Sequence, residues 1–340
     1  MGNRDAAGSM SIHHKEENGR ELSLVTLGDD NYAMPVAVTL SSALRNLGPG
    51  WEPHVYVLSD GIGDDNKRRI GRVLEAAHPG VVLTWCTPDT SRIDAVPIST
   101  WHSRATMLRL FAPFVVPESA KRVILLDSDI VVTGDLGELA LQPFAGHAIL
   151  AVENFSGSTM ANCLPRLYVD LNLPPDLGYF NAGMIVLDLP RWRDERITER
   201  AIDFLTNHPV DFLEQDALNA VVAGNWTLLD PRWNVQLEWL HTFGRDRYPP
   251  EERRRLRAEM VARPKLLHYV GPRKPWHWLN KGSKNEEFYR AFRNSGWLTP
   301  IASLAFVTSR RISHFLFRQL ARMKRAVKRV GEGRRTGTGV

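Results

Sequence analysis

The stretch RVILLDSDIVVTGDLGEL, from Arg122 to Leu139, decides the fold class. Two short apolar runs, Val123 to Leu126 and Ile130 to Val132, are typical of buried strands, and the polar residues of Asp127 to Asp129 lie between them. Burying two carboxylates beside a strand costs free energy unless a partner neutralises their charge. The pattern therefore indicates a buried strand whose end carries a charged site.

The segments before this stretch alternate between strand and helix patterns. LSLVTLGDDNY (Leu22–Tyr32) reads as a strand that ends in a polar turn, and AMPVAVTLSSALRNL (Ala33–Leu47) follows at helical spacing. HVYVLSD (His54–Asp60) and DDNKRRIGRVLEAA (Asp64–Ala77) repeat the pair. This alternation predicts an α/β fold with a largely parallel sheet, in which ligands bind at the carboxyl ends of the strands. The region from Asn225 to Tyr269 shows no clear pattern.

The composition is that of a globular protein with a sizeable core. The chain has 340 residues, of which 43% are hydrophobic and 24% charged. Cys86 and Cys163 fit neither a zinc-ligand spacing nor a disulfide framework, which favours a reducing cytosol. Residues 1–20 lack the apolar core of a signal peptide, so we expect a disordered lead, and no window is apolar and long enough to span a bilayer.

Positive charge is concentrated at the carboxyl end. Ten basic residues and a single acidic one, Glu332, lie from Ile301 onward, whereas the whole chain carries only +5, so residues 1–300 have a net negative charge. Apolar residues recur at helical spacing beside the basic positions: Ile312, Phe315, Leu316, Leu320, Met323 and Val327. We therefore predict that residues 301–340 form an amphipathic helix that binds an anionic membrane surface, rather than nucleic acid or solvent alone.

The turn after the first strand does not suit a dinucleotide. Gly28 is the one glycine of TLGDDNY, whereas the phosphate-binding fingerprint needs several closely spaced, and no Walker-type lysine follows. A divalent cation between Asp127 and Asp129 would relieve their mutual repulsion. The alternative is a polar strand end in which Asp129 or Asp135 caps a turn.

The segment LLHYVGPRKPWHW, Leu266 to Trp278, adds groups that suit a metal and a phosphate. His268 can supply a neutral imidazole, and Lys274 follows the turn-forming Gly271 and Pro272 with a fixed positive charge. Two carboxylates and one imidazole suit Mn²⁺ better than Mg²⁺, which is the second candidate.

Five motifs occur in the order and approximate spacing of glycosyltransferase family 8: GDDNY, DSD, YFNAG, EQDALN and HYVGPRKPW. The resemblance runs from about Leu22 to Trp278 and is strongest to bacterial lipopolysaccharide and lipooligosaccharide galactosyl- and glucosyltransferases, with glycogenin more distant. It implies a GT-A fold, with a single Rossmann-like mixed sheet flanked by helices over residues 21–300. It also implies a retaining transferase that moves a hexose from a UDP-sugar to a saccharide or glycolipid acceptor.

The resemblance assigns a role to each matched residue. Asp127, Asp129 and His268 correspond to the family's ligands for Mn²⁺, which binds the diphosphate of the donor. The other matched residues correspond to contacts with the three parts of the donor. The uridine contacts are Leu27, Asp29, Asn31, Tyr32 and the Ser128 backbone. The diphosphate contacts are Gly271 and Lys274, and the sugar contacts are Arg109, Asn181 and Ala182.

The EQDALN motif departs from the family at its first residue. Glu214 stands where members usually have an aspartate. The resemblance therefore does not determine which hexose hydroxyl Glu214 contacts, or which sugar is transferred. Gln215 would lie near the anomeric carbon. We predict front-face attack by the acceptor, with Lys274 stabilising the leaving UDP, and the alternative is a covalent intermediate on Asp216 or Gln215.

Two other functions compete with this one. A sugar-nucleotide nucleotidyltransferase would need a glycine- and lysine-rich loop after the first strand, which TLGDDNY lacks. A noncatalytic sugar- or nucleotide-binding protein would not need a complete set of metal and diphosphate residues. We therefore predict a peripheral enzyme at the cytoplasmic face of the membrane, acting in the synthesis of lipopolysaccharide or another cell-surface glycan.

Overall fold

The computed structural model describes residues 20–94, 96, 104–278 and 284–335. The strands are β1 (Arg20–Asp29), β2 (Trp51–Asp60), β3 (Val82–Cys86), β4 (Arg122–Leu126), β5 (Ile130–Val132), β6 (Ile149–Glu153), β7 (Phe180–Asp188), β8 (Thr227–Leu228), β9 (Val235–Gln236) and β10 (Leu266–His268). The α-helices are α1 (Ala33–Arg45), α2 (Asp64–Ala77), α3 (Arg104–Met107), α4 (Ala112–Val115), α5 (Gly137–Ala140), α6 (Met160–Cys163), α7 (Leu167–Asp170), α8 (Leu189–Asp194), α9 (Ile197–Asn207), α10 (Leu213–Val222), α11 (Pro250–Ala262), α12 (Asn285–Ser295) and α13 (Pro300–Arg335). The lead predicted over residues 1–20 lies outside the described residues except for Arg20, which opens β1.

The main sheet is mixed. Its seven strands in the described chain have the order β3-β2-β1-β4-β7-β6-β8. The strands β3, β2, β1 and β4 are parallel, as the alternating pattern predicts. Strand β7 runs antiparallel to both neighbours, β4 and β6, so the sheet as a whole is mixed, as the family resemblance implies. The carboxyl ends of β1 and β4 lie side by side at one edge.

A second sheet of three short strands, with the order β5-β10-β9, was not predicted from the sequence. Strand β10 pairs antiparallel with β5 and parallel with β9, and the register places His268 opposite Ile130. Two of these strands, β9 and β10, come from the Asn225–Tyr269 region, which has no pattern in the sequence because each strand is only two or three residues long.

Alternation along the central strands builds a core on each face of the main sheet. In β4, Ile124 and Leu126 pack on one face, together with residues of α1, α2 and α12. Val123 and Leu125 pack on the other face, together with residues of α9 and α10. The four side chains after Arg122 are therefore all buried, which explains why they form a continuous apolar run.

The carboxyl-terminal segment forms α13, which is one continuous helix over Pro300–Arg335. Its first half is attached to the body: Val307 is fully buried, and His314 is 4% exposed. In the part of the chain that the structure describes, every helix is too short or too polar to cross a membrane.

Candidate active site

One turn and the end of one strand bring three potential metal ligands together. Asp127 and Asp129 lie in the turn between β4 and β5, and His268 is the last residue of β10. The antiparallel pairing of β10 with β5 turns His268 back towards the carboxylates, and the Tyr269 N–H donates to the Asp129 carbonyl over 3.0 Å. One ligand atom from each of the three residues lies within 4.8 Å of the other two. The arrangement has the size of a cation site.

Hydrogen bonds fix the tautomer of His268. The Gly183 N–H donates to Asn181 Oδ1 over 3.1 Å, which identifies that atom as oxygen, and Asn234 Nδ2 donates to the same atom over 2.9 Å. Asn234 therefore presents Oδ1 to His268 Nδ1 at 2.9 Å, so Nδ1 carries a proton that it donates to Asn234. His268 Nε2 points at the carboxylates, 3.2 Å from Asp129 Oδ1 and 3.6 Å from Asp127 Oδ2, and pairs with them when it is protonated.

That geometry fits a bound cation. Two carboxylates and a ring nitrogen converge on one point, where a proton on Nε2 or a metal ion can offset the negative charge. A histidine ligand ordinarily donates its other N–H to an oxygen, as His268 does to Asn234. Asp129 Oδ1 is buried and has no hydrogen-bond partner among the described residues. The positions of Asp129 and His268 therefore fit the binding of a metal ion.

Gly183 makes room for this cluster. A Cβ atom at this position would lie 2.1 Å from His268 Cε1 and 2.8 Å from Asp127 Oδ2. The Gly183 carbonyl also accepts a hydrogen bond from the Asp127 N–H over 2.7 Å. Strand β7 thus holds the Asp127 backbone while leaving its carboxylate and the imidazole in close approach.

Two cations compensate the carboxylates from opposite sides. Arg109, which is 5% exposed, donates from Nη2 to Asp127 Oδ1 over 2.7 Å, and Lys274 donates from Nζ to Asp129 Oδ2. Burial raises the pKa of Asp127 even though Arg109 opposes it. Burial also disfavours the charged form of Asp129, but Lys274 and His268 outweigh it and hold the pKa of Asp129 well below its ordinary value.

The first turn of α10 supplies a third carboxylate. Glu214 is 5% exposed, and its Oε1 lies 3.1 Å from Arg109 Nε. Arg109 thus links Glu214 to Asp127, Asp129 and His268, which we call the metal-ligand cluster. Its other oxygen, Oε2, is buried without a hydrogen-bond partner in the described chain. Gln215 Oε1 accepts from the Ala182 N–H and from Asn181 Nδ2, both over 3.0 Å. The residues predicted to bind the sugar are therefore connected through Arg109 and Gln215.

Asp216 lies behind these residues. It has no exposed surface, and its carboxylate accepts hydrogen bonds from the Tyr179 hydroxyl and from the N–H groups of Phe212, over 2.8 Å, and Asp211, over 3.1 Å. Burial raises its pKa to about 6, although these hydrogen bonds oppose the shift. The Asp216 carboxylate therefore holds the start of α10 to β7, which favours a positioning role over a nucleophilic one.

The turn after β1 borders the cluster. Leu27 is buried, the Asp29 carboxylate caps the following turn by accepting the Tyr32 N–H over 3.0 Å, and Asn31 is exposed. Burial and the carboxylates of Asp129, Asp29 and Asp127 raise the pKa of Tyr32. This turn therefore lies within electrostatic range of Asp127 and Asp129.

The two remaining predicted contacts lie in turns beside the cluster. Ser128 separates the two aspartates, and its carbonyl accepts a hydrogen bond from the Thr39 hydroxyl over 3.0 Å. Gly271 is exposed and adopts a left-handed backbone with φ of +81°, which turns the chain after β10 towards Lys274.

The structure decides which aspartate caps a turn, and it adds one residue to the site. The turn-capping alternative applies to Asp135, whose Oδ1 accepts the N–H groups of Gly48 over 2.9 Å and Gly137 over 2.8 Å, whereas Asp129 belongs to the metal-ligand cluster. Asn234, which orients His268, was not identified from the sequence. It lies in the region without a pattern, and a single asparagine near a tryptophan carries no recognisable signal.

Comparison with known proteins agrees with this geometry. The model of glycosyl transferase family 8 matches residues 23–280. General stress protein A of Bacillus subtilis strain 168 is 31% identical over 290 residues, which cover 82% of this chain and 95% of that protein. Lipopolysaccharide 1,3-galactosyltransferase of Salmonella typhimurium strain LT2 is 26% identical, with 81% of this chain and 80% of that protein covered.

A solved structure has the same architecture. The galactosyltransferase LgtC, in complex with donor and acceptor sugar analogues, superposes with a TM-score of 0.67 at 23% identity, and the match covers 82% of this chain and 96% of LgtC. This likeness identifies the mixed sheet and its flanking helices as the GT-A fold. Since the family model spans most of the sequence, including all five motifs, the chain belongs to glycosyl transferase family 8.

Proposed function

We propose that this glycosyltransferase moves a hexose from a UDP-sugar to a saccharide or glycolipid acceptor, with retention of anomeric configuration and with the help of a divalent metal. The observation that carries the proposal is the cluster of Asp127, Asp129 and His268, with Lys274 beside it. A relative named for lipopolysaccharide galactosyl transfer supports an acceptor in cell-surface glycan synthesis.

The metal in this proposal is Mn²⁺, with Mg²⁺ as the second candidate. Asp127, Asp129 and His268 would hold it, because the set combines two hard oxygen ligands with an imidazole nitrogen, and Mg²⁺ rarely takes nitrogen. The ion, when bound, would neutralise diphosphate charge on the donor. Two observations support this assignment: His268 Nδ1 donates to Asn234, which directs Nε2 at the carboxylates, and Asp129 Oδ1 faces that nitrogen and accepts no other hydrogen bond among the described residues.

The donor would lie along the carboxyl edge of β1 and β4. In the proposal, Leu27, Asp29, Asn31, Tyr32 and the Ser128 backbone hold the uridine, and Gly271 and Lys274 contact the diphosphate. Lys274 is 7% exposed, so its charge acts at low dielectric, where its attraction for a leaving phosphate is strong.

The sugar would lie between β7 and α10. Arg109, Asn181 and Ala182 border this space, and Glu214 Oε2 is a buried acceptor for which the described residues supply no donor. A hydroxyl of the transferred hexose would satisfy that oxygen. The longer reach of a glutamate, relative to the usual aspartate, makes Glu214 the residue most relevant to which hexose is used.

For the transfer step we propose front-face attack by the acceptor hydroxyl. Gln215 and Asp216 are the groups considered for a covalent intermediate, and both are engaged: Gln215 Oε1 accepts two hydrogen bonds, and Asp216 accepts three. Their engagement favours roles in positioning. Gln215 would support the developing charge on the sugar, while Lys274 stabilises the departing UDP.

We propose that the exposed face of α13 binds an anionic membrane surface, and that this surface is the cytoplasmic face of the membrane. The exposed apolar side chains form one stripe along the helix, and each is at least half exposed: Ile301, Leu304, Ile312, Phe315, Leu316, Leu320 and Met323. Val327 continues the stripe in the sequence, but its side chain lies outside the described set. Arg310 and Arg311 contact the body instead, so the basic contribution would come from residues further along.

Co-sedimentation with vesicles tests this surface. The full chain should bind vesicles rich in phosphatidylserine and lose binding as salt rises, since the basic contribution is screened. Replacing Phe315 and Leu316 with glutamate should abolish binding without affecting the body. Equal binding by both proteins would contradict a membrane role, and tight binding to DNA but not to vesicles would indicate a nucleic-acid partner.

Calorimetry with UDP tests the metal site. UDP should bind in the presence of Mn²⁺, and D129A or H268A should abolish the metal-dependent part of the binding. D135A is the matched control, because Asp135 caps a turn and its loss should lower stability by about 1 kcal/mol but spare UDP binding. Hydrolysis of UDP-glucose, UDP-galactose, UDP-glucuronate and UDP-N-acetyl sugars would then identify the donor. Binding of UDP without turnover of any donor would favour a noncatalytic protein.

A further inference from the structure

The turn that carries Lys274 is attached to the two last helices by an unbroken series of hydrogen bonds. Each of the four consecutive backbone carbonyls from residue 275 to residue 278 accepts a hydrogen bond from a side chain of α12 or α13. In chain order the donors are Tyr289 Oη at 3.1 Å, Arg310 Nε at 2.7 Å, His314 Nε2 at 2.9 Å and Ser313 Oγ. Three of the four donors belong to α13.

His314 lies at the centre of this arrangement. The His277 carbonyl can only accept, so His314 Nε2 must carry a proton and donate it. In the neutral ring, Nδ1 is then an acceptor, which faces its donor Asn285 Nδ2 at 3.4 Å and lies 3.1 Å from Tyr289 Oη, whose single proton goes to the Pro275 carbonyl. His314 is 4% exposed, so these bonds are shielded from water. A histidine buried in this way joins α12, α13 and the Lys274 turn.

The turn depends on these bonds because it belongs to neither sheet. Pro272 and Pro275 have no N–H group, and Gly271 adopts a left-handed backbone that adds conformational freedom. Within the turn, the His277 N–H donates to the Lys274 carbonyl over 3.0 Å. The side chains from α12 and α13 therefore provide much of what fixes the path of this segment.

The same segment delivers two groups to the active site. Lys274 Nζ reaches Asp129 and the Tyr269 carbonyl, the latter over 2.8 Å. The ring of Trp276 lies edge-on to Tyr32, with 6.0 Å between centroids. A shift of the segment would move both groups together, away from the positions proposed for diphosphate and uridine binding.

We infer that Arg310, Ser313 and His314 of α13 are positioning residues, which set the place of Lys274 through the carbonyls of Trp276, His277 and Trp278. The inference rests on the proposed role of Lys274 at the donor diphosphate. In this inference α13 positions Lys274 for the transfer reaction, and this role is separate from any membrane contact of its exposed apolar side chains.

The test is a double-mutant cycle on turnover of the UDP-sugar that the wild-type chain hydrolyses best. H314L removes the donor to the His277 carbonyl, and H314Q retains an N–H group at a similar distance. I312A is the matched control, because Ile312 is on the same helix and 55% exposed. Each of the three substitutions is made in the wild-type chain, H314L is also combined with K274A, and thermal unfolding is measured for every protein.

H314L should reduce kcat by about 10-fold or more, since a misplaced charge of this kind can cost up to about 10²-fold. H314Q should recover most of the loss, and I312A should match the wild type. In the K274A background H314L should change kcat less than about 2-fold, because its effect acts through Lys274. R310M and S313A, measured in the same way, keep the inference testable if H314L does not fold.

Three results would overturn the inference: wild-type turnover in H314L, an equal loss in both backgrounds, or no recovery in H314Q despite a normal unfolding temperature. These differ from a failure of the proposed function. In that case the wild-type chain itself would neither bind UDP with Mn²⁺ nor hydrolyse any UDP-sugar.

Discussion

Replacing Gly183 with alanine would place a methyl group inside the metal-ligand cluster. The new Cβ atom would lie 2.1 Å from His268 Cε1, whereas ordinary contact begins at 3.4 Å. Either the backbone at residue 183 or the His268 ring must therefore move by roughly 1.3 Å. His268 is held from behind by Asn234 and is 3% exposed. Asp127, 2.8 Å from the same Cβ atom, is held by Arg109. Neither neighbour can yield without breaking a buried hydrogen bond.

We expect two measurable consequences. The overlap should lower the free energy of unfolding by about 1–3 kcal/mol, which is the usual cost of adding a methyl group to a packed interior. The displaced imidazole should weaken Mn²⁺-dependent binding of UDP by about 10- to 100-fold, as when a metal ligand loses its orienting support. Calorimetry with UDP at saturating Mn²⁺ measures the second effect, and thermal unfolding measures the first.

The matched control is Gly71→Ala, which is the same substitution in the interior of α2. Its nearest neighbour would be Leu83 Cδ2 at 3.9 Å, which is ordinary contact. Alanine is the better helix former, so Gly71→Ala should raise stability by about 0.5–1 kcal/mol and leave UDP binding unchanged. If Gly183→Ala binds UDP and Mn²⁺ as tightly as the wild type, the metal-ligand cluster is not where the ion binds.

Three further predictions concern single side chains. N234L leaves His268 Nδ1 without its acceptor and should lower Mn²⁺ affinity by about 10- to 100-fold, measured by titration; an unchanged affinity would refute the assigned tautomer. K274A should lower kcat by about 10²-fold or more and the donor KM less, since leaving-group charge grows towards the transition state, and a change in KM alone would make Lys274 a ground-state contact. Burial raises the pKa of Asp216 from its ordinary 3.8 to about 6, so the folded state binds the carboxyl proton more tightly than the unfolded state does. The protonated carboxyl therefore stabilises the folded state by roughly 3 kcal/mol. This stabilisation is complete below pH 3.8 and is lost as the pH rises through 6. Denaturant unfolding between pH 4 and 7 should show this fall for the wild type but not for D216N, and parallel profiles would exclude it.

The sequence by itself determined the elements and much of the chemistry. The apolar run of β4 and the repeated strand–helix pattern identified the α/β class, because burial on both faces of a sheet leaves a continuous hydrophobic signature. The helix predicted from Asp64 to Ala77 has those bounds in the structure. The Asp127–Asp129 pair indicated a cation site, since two adjacent carboxylates at a strand end repel each other.

Tertiary structure alone decided how these residues act together. His268 reaches the aspartates through a three-stranded sheet whose strands are too short to leave a periodic pattern. Asn234 sets the imidazole tautomer from a turn with no local signal, and His314 holds the Lys274 turn from a helix that reads in sequence only as an amphipathic tail. Sequence records the preference of each segment for strand, helix or turn, whereas a hydrogen bond between residues 34 or 37 apart depends on where folding brings their backbones.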